Sequence, residues 1–222
     1  MEIIYLESVD STQTYLKEHI KTQGYHKNIA IVTTNQTNGI GSRDNKWESK
    51  KGNLFFSFTQ TIENLPPDLK LQSASIYFSF LLKNLLFSKK SKVWLKWPND
   101  FYLEEKKIGG TITQLEKNIL FCGIGLNLRG VSSDYGYLDI EIDIDNLLNE
   151  YFTILTQKIS WKQVFSQYKI EYELSKKFQV TLKNQKTSLA DSTLCEDGSI
   201  LIANQNEASN QRSFSEKVYS SR

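Results

Sequence analysis

Short alternating runs and longer helical repeats take turns along this chain. Residues 3–6 read as a short strand, after which Thr12, Tyr15, Leu16, His19 and Ile20 recur at the spacing of one helix face, with Asp10 or Ser11 as cap and Gly24 as stop. Residues 28–34 and 53–60 predict two further strands, separated by the polar stretch 35–52. A loop of that length with no element of its own is uncommon in a compact domain and points to a lid or a binding loop. Behind Pro66-Pro67-Asp68, the apolar residues of about 69–87 fall almost all round a helical wheel. That pattern predicts a buried helix, because Ser73, Ser75, Ser79, Lys83 and Asn84 interrupt it too often for a bilayer span. Lys89-Lys90-Ser91-Lys92 then closes the helix, as solubility and its dipole favour.

The next stretch carries the candidate chemistry. Val93, Leu95 and Trp97 alternate as a strand, and Pro98 ends its ladder by removing a donor. Asn99 and Asp100 sit at the mouth of that strand, Glu104-Glu105-Lys106 predicts a hairpin tip, and Lys107 re-enters the sheet beside Gly109 and Gly110. One carboxylate and one lysine are thereby aimed at a common space. The plain alternative is a solvated lysine beside ordinary turn chemistry. Residues 108–116 and 119–126 predict a second hairpin around Lys117-Asn118, with Asn127 at its end. Residues 142–158 and 161–176 return to helical spacing, with Asp145 and Ser160 as caps. From there the composition shifts to the short strands 178–182, 192–195 and 199–202, broken by turns at 183–185 and 196–198. The division expected is a catalytic unit over 1–176 and a small β unit over 177–222, whose polar end from residue 204 is expected to fray in part.

Composition narrows the chemistry. At 222 residues, 39% hydrophobic and 23% charged, the chain can bury a real core as an ordinary globular protein. A formal net charge of +2 argues for neither a nucleic acid nor a membrane surface as partner. Cys122 and Cys195 make no disulfide framework and no zinc spacing. His19 and His26 are the only histidines, both in or near the first helix, which leaves a Ser-His-Asp or Cys-His arrangement without a base. Chemistry here must then rest on positioning and charge stabilisation. The opening residues carry no basic or long apolar leader, so a cytoplasmic protein is expected.

In the polar loop, Gly39, Gly41 and Gly52 free the backbone to wrap an anion, and Trp47 either stacks on a flat ligand or anchors the loop in the core. Three strings follow in order: Lys96-Trp97-Pro98-Asn99-Asp100, Lys107-Ile108-Gly109-Gly110 and Gly123-Ile124-Gly125-Leu126-Asn127-Leu128. Together they closely resemble the central motifs of biotin protein ligases, and the resemblance runs over about residues 3–130.

The resemblance implies an α+β fold: a mixed, mainly antiparallel sheet with helices packed on it, class II synthetase-like, and an SH3-like β domain at the C-terminal end. It implies formation of biotinyl-5′-AMP from biotin and ATP, then transfer of biotin to a lysine of a biotin carboxyl carrier protein or domain. Magnesium would travel with the nucleotide, with no metal cage built by the protein. Lys107, Arg43 and Asp100 are the implied catalytic residues. Ser11, Thr12, Gln13, Gln36, Gly39, Ile40, Gly41, Ser42, Lys107 and Gly110 are implied for biotin, and Arg43, Lys46, Trp47, Asn99 and Asn127 for the nucleotide.

Some ligases of this kind carry a DNA-binding helix-turn-helix ahead of the catalytic unit. None precedes Ile3, so a monofunctional type with no nucleic-acid or membrane partner is expected, and pairing of two copies through a sheet edge is left open. The loop departs from the family's arginine-rich pattern: Ile40, Ser42 and Asn45 stand where arginines are expected. Arg43, displaced by one position, is read as taking over phosphate contact with Lys46 assisting; the missing guanidinium forks imply a leakier intermediate. Lipoate and octanoate transferases share such a fold, but their Arg-Arg and Ser-Gly-Gly-Gly strings are absent here. A non-catalytic biotin or nucleotide sensor is the alternative from another class.

Overall fold

A computed structural model of the chain describes residues 1–41, 47–182, 185–204 and 213–218. Seven strands form one sheet in the order β1-β2-β3-β7-β6-β5-β4. They are β1 (Glu2–Leu6), β2 (Ile29–Thr33), β3 (Leu54–Thr61), β4 (Trp94–Lys96), β5 (Asp100–Leu103), β6 (Lys106–Glu116) and β7 (Ile119–Leu126). Only β1 and β2 run parallel; every other neighbouring pair in the sheet is antiparallel. The mixed, mainly antiparallel sheet with packed helices is therefore as expected.

Period-two alternation assigns the two faces. Phe56, Phe58, Ile124, Leu126, Ile108, Phe101 and Leu95 point to one side, where α2 (Ala74–Ser88), α3 (Ile144–Thr156) and α4 (Trp161–Ser175) complete the main core. On the other side α1 (Thr12–Gln23) covers a smaller cluster of Leu16, Ile29, Ile31 and Phe121. Helix α1 covers only part of that face, and the strip beyond its N-terminus stays open.

Several boundaries differ from expectation for identifiable reasons. Helix α2 begins at Ala74, after a 3-10 turn at Leu71–Ser73, and not near residue 69. Asp68 is spent on α4 instead: its two carboxylate oxygens accept from Trp161 N and Lys162 N, each at 2.9 Å. The cap of α3 is Asp143, whose Oδ1 accepts from Asn146 N at 2.8 Å, while Asp145 lies within the first turn. Ser160 caps α4 with a complete capping box.

After α4 come β8 (Gln179–Leu182) paired with β9 (Gln185–Ser188), and a three-stranded sheet of β10 (Thr193–Leu194), β11 (Ile200–Asn204) and β12 (Ser213–Val218). Gln185 is thus strand and not turn. The stretch expected to fray holds β12, whose backbone pairs with β11 from Ile200↔Val218 to Asn204↔Ser213. The turn before β11 is seated on the core, since Trp97 Nε1 donates to Gly198 O at 2.9 Å and Trp161 Nε1 to Glu196 O at 2.7 Å. Among the described residues no helix is long and apolar enough to cross a membrane.

Candidate active site

The open strip of the sheet is floored by glycine. Registers Phe55↔Gly125, Ser57↔Gly123, Gly110↔Gly125 and Asp100↔Gly110 place these residues on one face. The absence of side chains there leaves a cavity of about 400 Å³, a size that fits a small organic ligand. The N-terminus of α1 supplies one wall through Ser11, Thr12 and Gln13; the polar loop supplies another through Ile40, Gly41, Trp47 and Glu48.

A β-bulge directs Lys107 into this cavity. Phe101 pairs with Gly109 but Tyr102 pairs with Lys107, so Ile108 is the extra residue on β6. Regular alternation would put Lys107 on the core side with Gly109, where an added Cβ would meet Phe101 and Leu126. The bulge lets Ile108 take the core position, fully buried, and turns Lys107 to the open face. There its Nζ lies 2.7 Å from Asp100 Oδ1 and 5.4 Å from the Trp47 ring centroid, with the two charged side chains 28% and 23% exposed. A Cβ at Gly110 would stand 3.1 Å from Asp100 Oδ1, 3.5 Å from Trp47 and 3.6 Å from Lys107 Cε, so all three converge over that glycine.

At the α1 end, Gln36 Oε1 accepts from Thr12 N at 3.0 Å, and Thr12 Oγ1 lies 2.8 Å from Ser57 Oγ. Ser11 accepts from Thr14 N as the helix cap. Gln13 Oε1 is buried with no hydrogen-bond partner among the described residues, and it faces Gly123 and Ser57. At the loop end, the Trp47 indole lies on Gly125, with its Cε2 only 2.9 Å from where a Cβ would be, and its Nε1 is likewise unpartnered. Asn127 donates to Gly136 O at 3.1 Å, and its buried Oδ1 has no partner among the described residues. The Asn99 amide donates to Thr111 O.

Of the residues singled out in the sequence, Ser11, Thr12, Gln13, Gln36, Ile40, Gly41, Trp47, Asn99, Asp100, Lys107, Gly110 and Asn127 line this one cavity. Gly39 is not among the residues lining it: its carbonyl accepts from Trp47 N at 2.9 Å, and a Cβ there would meet Gln36, the Trp47 Cβ and Ser49. Ser42, Arg43 and Lys46, with Asn45, lie outside the described residues.

Ser57, Glu48 and Tyr135 line the cavity without having been singled out. The register of Ser57 opposite Gly123 was readable only once the strand pairing was known. Tyr135 arrives from a loop tied down by Gly136 N donating to Lys107 O at 2.9 Å and by Leu138 N donating to Asn127 O at 2.8 Å.

The model of the biotin/lipoate A/B protein ligase family matches residues 5–128, and the chain belongs to that family. Over 90% of this chain and 96% of the other, it is 39% identical to the biotin acetyl coenzyme A carboxylase synthetase of Helicobacter pylori, solved with biotinylated ATP bound, with a TM-score of 0.86. The biotin protein ligase of Aquifex aeolicus, solved with biotin and ATP, is 26% identical over 96% of both chains with a TM-score of 0.72. Among curated relatives, biotin–protein ligase 2 of Arabidopsis thaliana is 34% identical over 105 residues, 44% of this chain and 32% of that protein. The bifunctional ligase/repressor BirA of Salmonella typhimurium is 29% identical over 141 residues, 60% of this chain and 43% of that one. The chain thus spans less than half the length of these curated relatives.

Proposed function

We propose that this protein is an ATP-dependent biotin protein ligase: it forms biotinyl-5′-AMP and passes biotin to a lysine of a biotin carboxyl carrier domain. The observation that carries the reading is one ammonium, Lys107, held over a glycine floor between a set of polar groups and an indole. Two anions must meet in such a reaction. At about 4 Å, like charges repel by about 1 kcal/mol in water and by about 4 kcal/mol at an effective dielectric near 20. Lys107, leaving Asp100 for the substrates, bridges the biotin carboxylate and the α-phosphate and stabilises charge that grows as the carboxylate oxygen attacks phosphorus and pyrophosphate departs.

The ureido ring of biotin lies at the α1 end, where Gln13 Oε1 is the unsatisfied acceptor and Ser11, Thr12, Gln36 and Ser57 complete the polar rim. Ile40, Gly41 and Gly110 cover the apolar part. Adenine stacks on Trp47, with Arg43 and Lys46 on the phosphates, Asn99 at the nucleotide, and Tyr135 on the remaining side. The magnesium ion enters with ATP, and the buried Asn127 Oδ1 is an oxygen this chain offers it. In the second step the acceptor amine attacks the biotinyl carbonyl carbon, the bond to the phosphate oxygen breaks, AMP leaves, and the ammonium proton passes to Asp100. We assign residues 177–222 to an SH3-like domain seated on the catalytic unit.

Incubation with labelled biotin, ATP and a recombinant carrier domain tests the reading. Covalent label on the carrier, dependent on ATP, is expected; binding of biotin with no pyrophosphate release identifies a sensor instead.

A further inference from the structure

We propose that Lys96 is a positioning residue for Asp100: it is the cation that stays beside the carboxylate when Lys107 is drawn to the substrates, and it serves transfer to the acceptor amine more than adenylate formation. The inference rests on the assignment of Lys107 and Asp100 given above.

Registers Lys96↔Asp100 and Asp100↔Gly110 put the two side chains in one row on the ligand face, across β4, β5 and β6. Lys107 joins that row through the bulge, so a carboxylate stands between two ammonium groups. Lys96 is only 7% exposed, yet among the described residues it has no ion-pair partner. Its amine lies 5.4 Å from the Tyr102 ring centroid and 5.6 Å from that of Phe178, which fixes its direction without neutralising it. Burial pushes the ammonium below the ordinary lysine range, while the Asp100 charge pulls it up and Lys107 pushes it further down, so the Lys96 ammonium feels both groups.

A buried, unpaired cation is costly, and packing of its stem alone would be served as well by methionine. The charge therefore needs a role. In the free protein Asp100 has Lys107 at 2.7 Å. Once Lys107 bridges carboxylate and phosphate, its hold on Asp100 weakens at the moment the acceptor amine needs a fixed anion. Lys96 is the cation already in register to take over.

Lys96→Met keeps the stem packing and removes the charge, and Lys96→Arg restores charge. The readouts are biotin-dependent ATP–pyrophosphate exchange for the first step and single-turnover transfer from preformed biotinyl-5′-AMP to a recombinant carrier domain for the second. Lys96→Met is expected to slow transfer by about 30-fold and exchange by about 3-fold, since the close charge is lost mainly from the second step. Lys96→Arg is expected to return transfer to within about 3-fold of the parent. Parallel loss in both steps, no loss in either, or an Arg variant as slow as the Met variant overturns the proposal. Should Lys96→Met fail to fold, Lys96→Gln carries the same comparison. Lys107→Ala separates the two levels: if it leaves exchange intact the reading of the site fails, whereas loss of exchange there with normal transfer in Lys96→Met removes only the role of Lys96.

Discussion

Asp100 holds the Lys107 ammonium at 2.7 Å across the bulge formed by Ile108. The pair is partly exposed and contributes little to stability by itself, so its value lies in aiming the cation before substrate arrives. Replacing Lys107 by Gln keeps length and polarity but removes the charge that must shield two anions. Biotin-dependent pyrophosphate release should fall by at least about 100-fold, as for loss of one preorganised group at a developing charge. The melting temperature should stay within a few degrees. Steady-state pyrophosphate assay and thermal unfolding on one preparation check both halves.

Two glycines of β7 report separately on the two ends of the cavity. A Cβ at Gly125 would stand 2.9 Å from Trp47 Cε2, so Gly125→Ala must displace the indole and should raise the KM for ATP. A Cβ at Gly123 would stand 2.9 Å from Gln13 Oε1 and 3.2 Å from Ser57 Oγ, so Gly123→Ala should raise the Kd for biotin. Each effect should be about 10-fold or more on its own substrate and small on the other, given that loss of a good contact is worth about 1.4 kcal/mol per factor of ten. Titration calorimetry with biotin and kinetics in ATP distinguish this crossed pattern from a general loss.

How far the sequence discloses this site depends on the kind of information each part needs. The order of Trp97, Pro98, Asn99 and Asp100 is local, and strand end, turn and carboxylate follow from residue chemistry alone. The direction of Lys107 is not local. It depends on an extra residue in β6 relative to β5, and no run of residues 106–110 reveals which of them the partner strand skips. Ser57 escaped notice because its importance comes from facing Gly123 on a strand more than sixty residues away. Asp68 shows the same limit: it stands just before the stretch expected as an apolar helix, yet its carboxylate is spent on backbone donors of α4, which the fold alone brings near. Strand β12 carries a polar sequence, and its place is set by backbone pairing with β11.

The unpartnered Gln13 Oε1 predicts an exchange of stability for affinity. A buried acceptor with no donor costs about 1–3 kcal/mol, a cost relieved when a ligand N–H reaches it. Gln13→Leu removes the unsatisfied group and should leave the free protein as stable as the parent or more so. The same change should weaken biotin binding by about 10- to 100-fold, the equivalent of that cost. Differential scanning with and without saturating biotin measures both, because a ligand at about 100 times its Kd adds about 2.7 kcal/mol and a weakened one adds correspondingly less. A Leu variant that melts lower yet keeps the biotin-induced shift contradicts the assignment of Gln13 to the ligand.

The Lys83–Glu171 pair behaves differently because it is buried away from the cavity. Lys83 of α2 and Glu171 of α4 are joined with side chains only 10% and 12% exposed, and Glu171 Oε1 also accepts from Leu95 N at 2.5 Å, blunting the free edge of β4. Burial raises the Glu171 carboxyl above its ordinary range against the pull of Lys83, so desolvation outweighs attraction and the pair specifies how α4 meets β4 more than it stabilises. Glu171→Gln preserves the acceptor for Leu95 but strands the Lys83 ammonium between Phe80 and Phe87. It should lower unfolding free energy by about 3 kcal/mol, the usual consequence of breaking a buried pair from one side. Lys83→Met in the same chain removes the stranded charge and should recover most of that loss, because the thioether packs well against both rings. Chemical denaturation of the two single variants and the double variant closes the cycle; a double variant less stable than Glu171→Gln alone means that the ion pair itself holds α2 to α4.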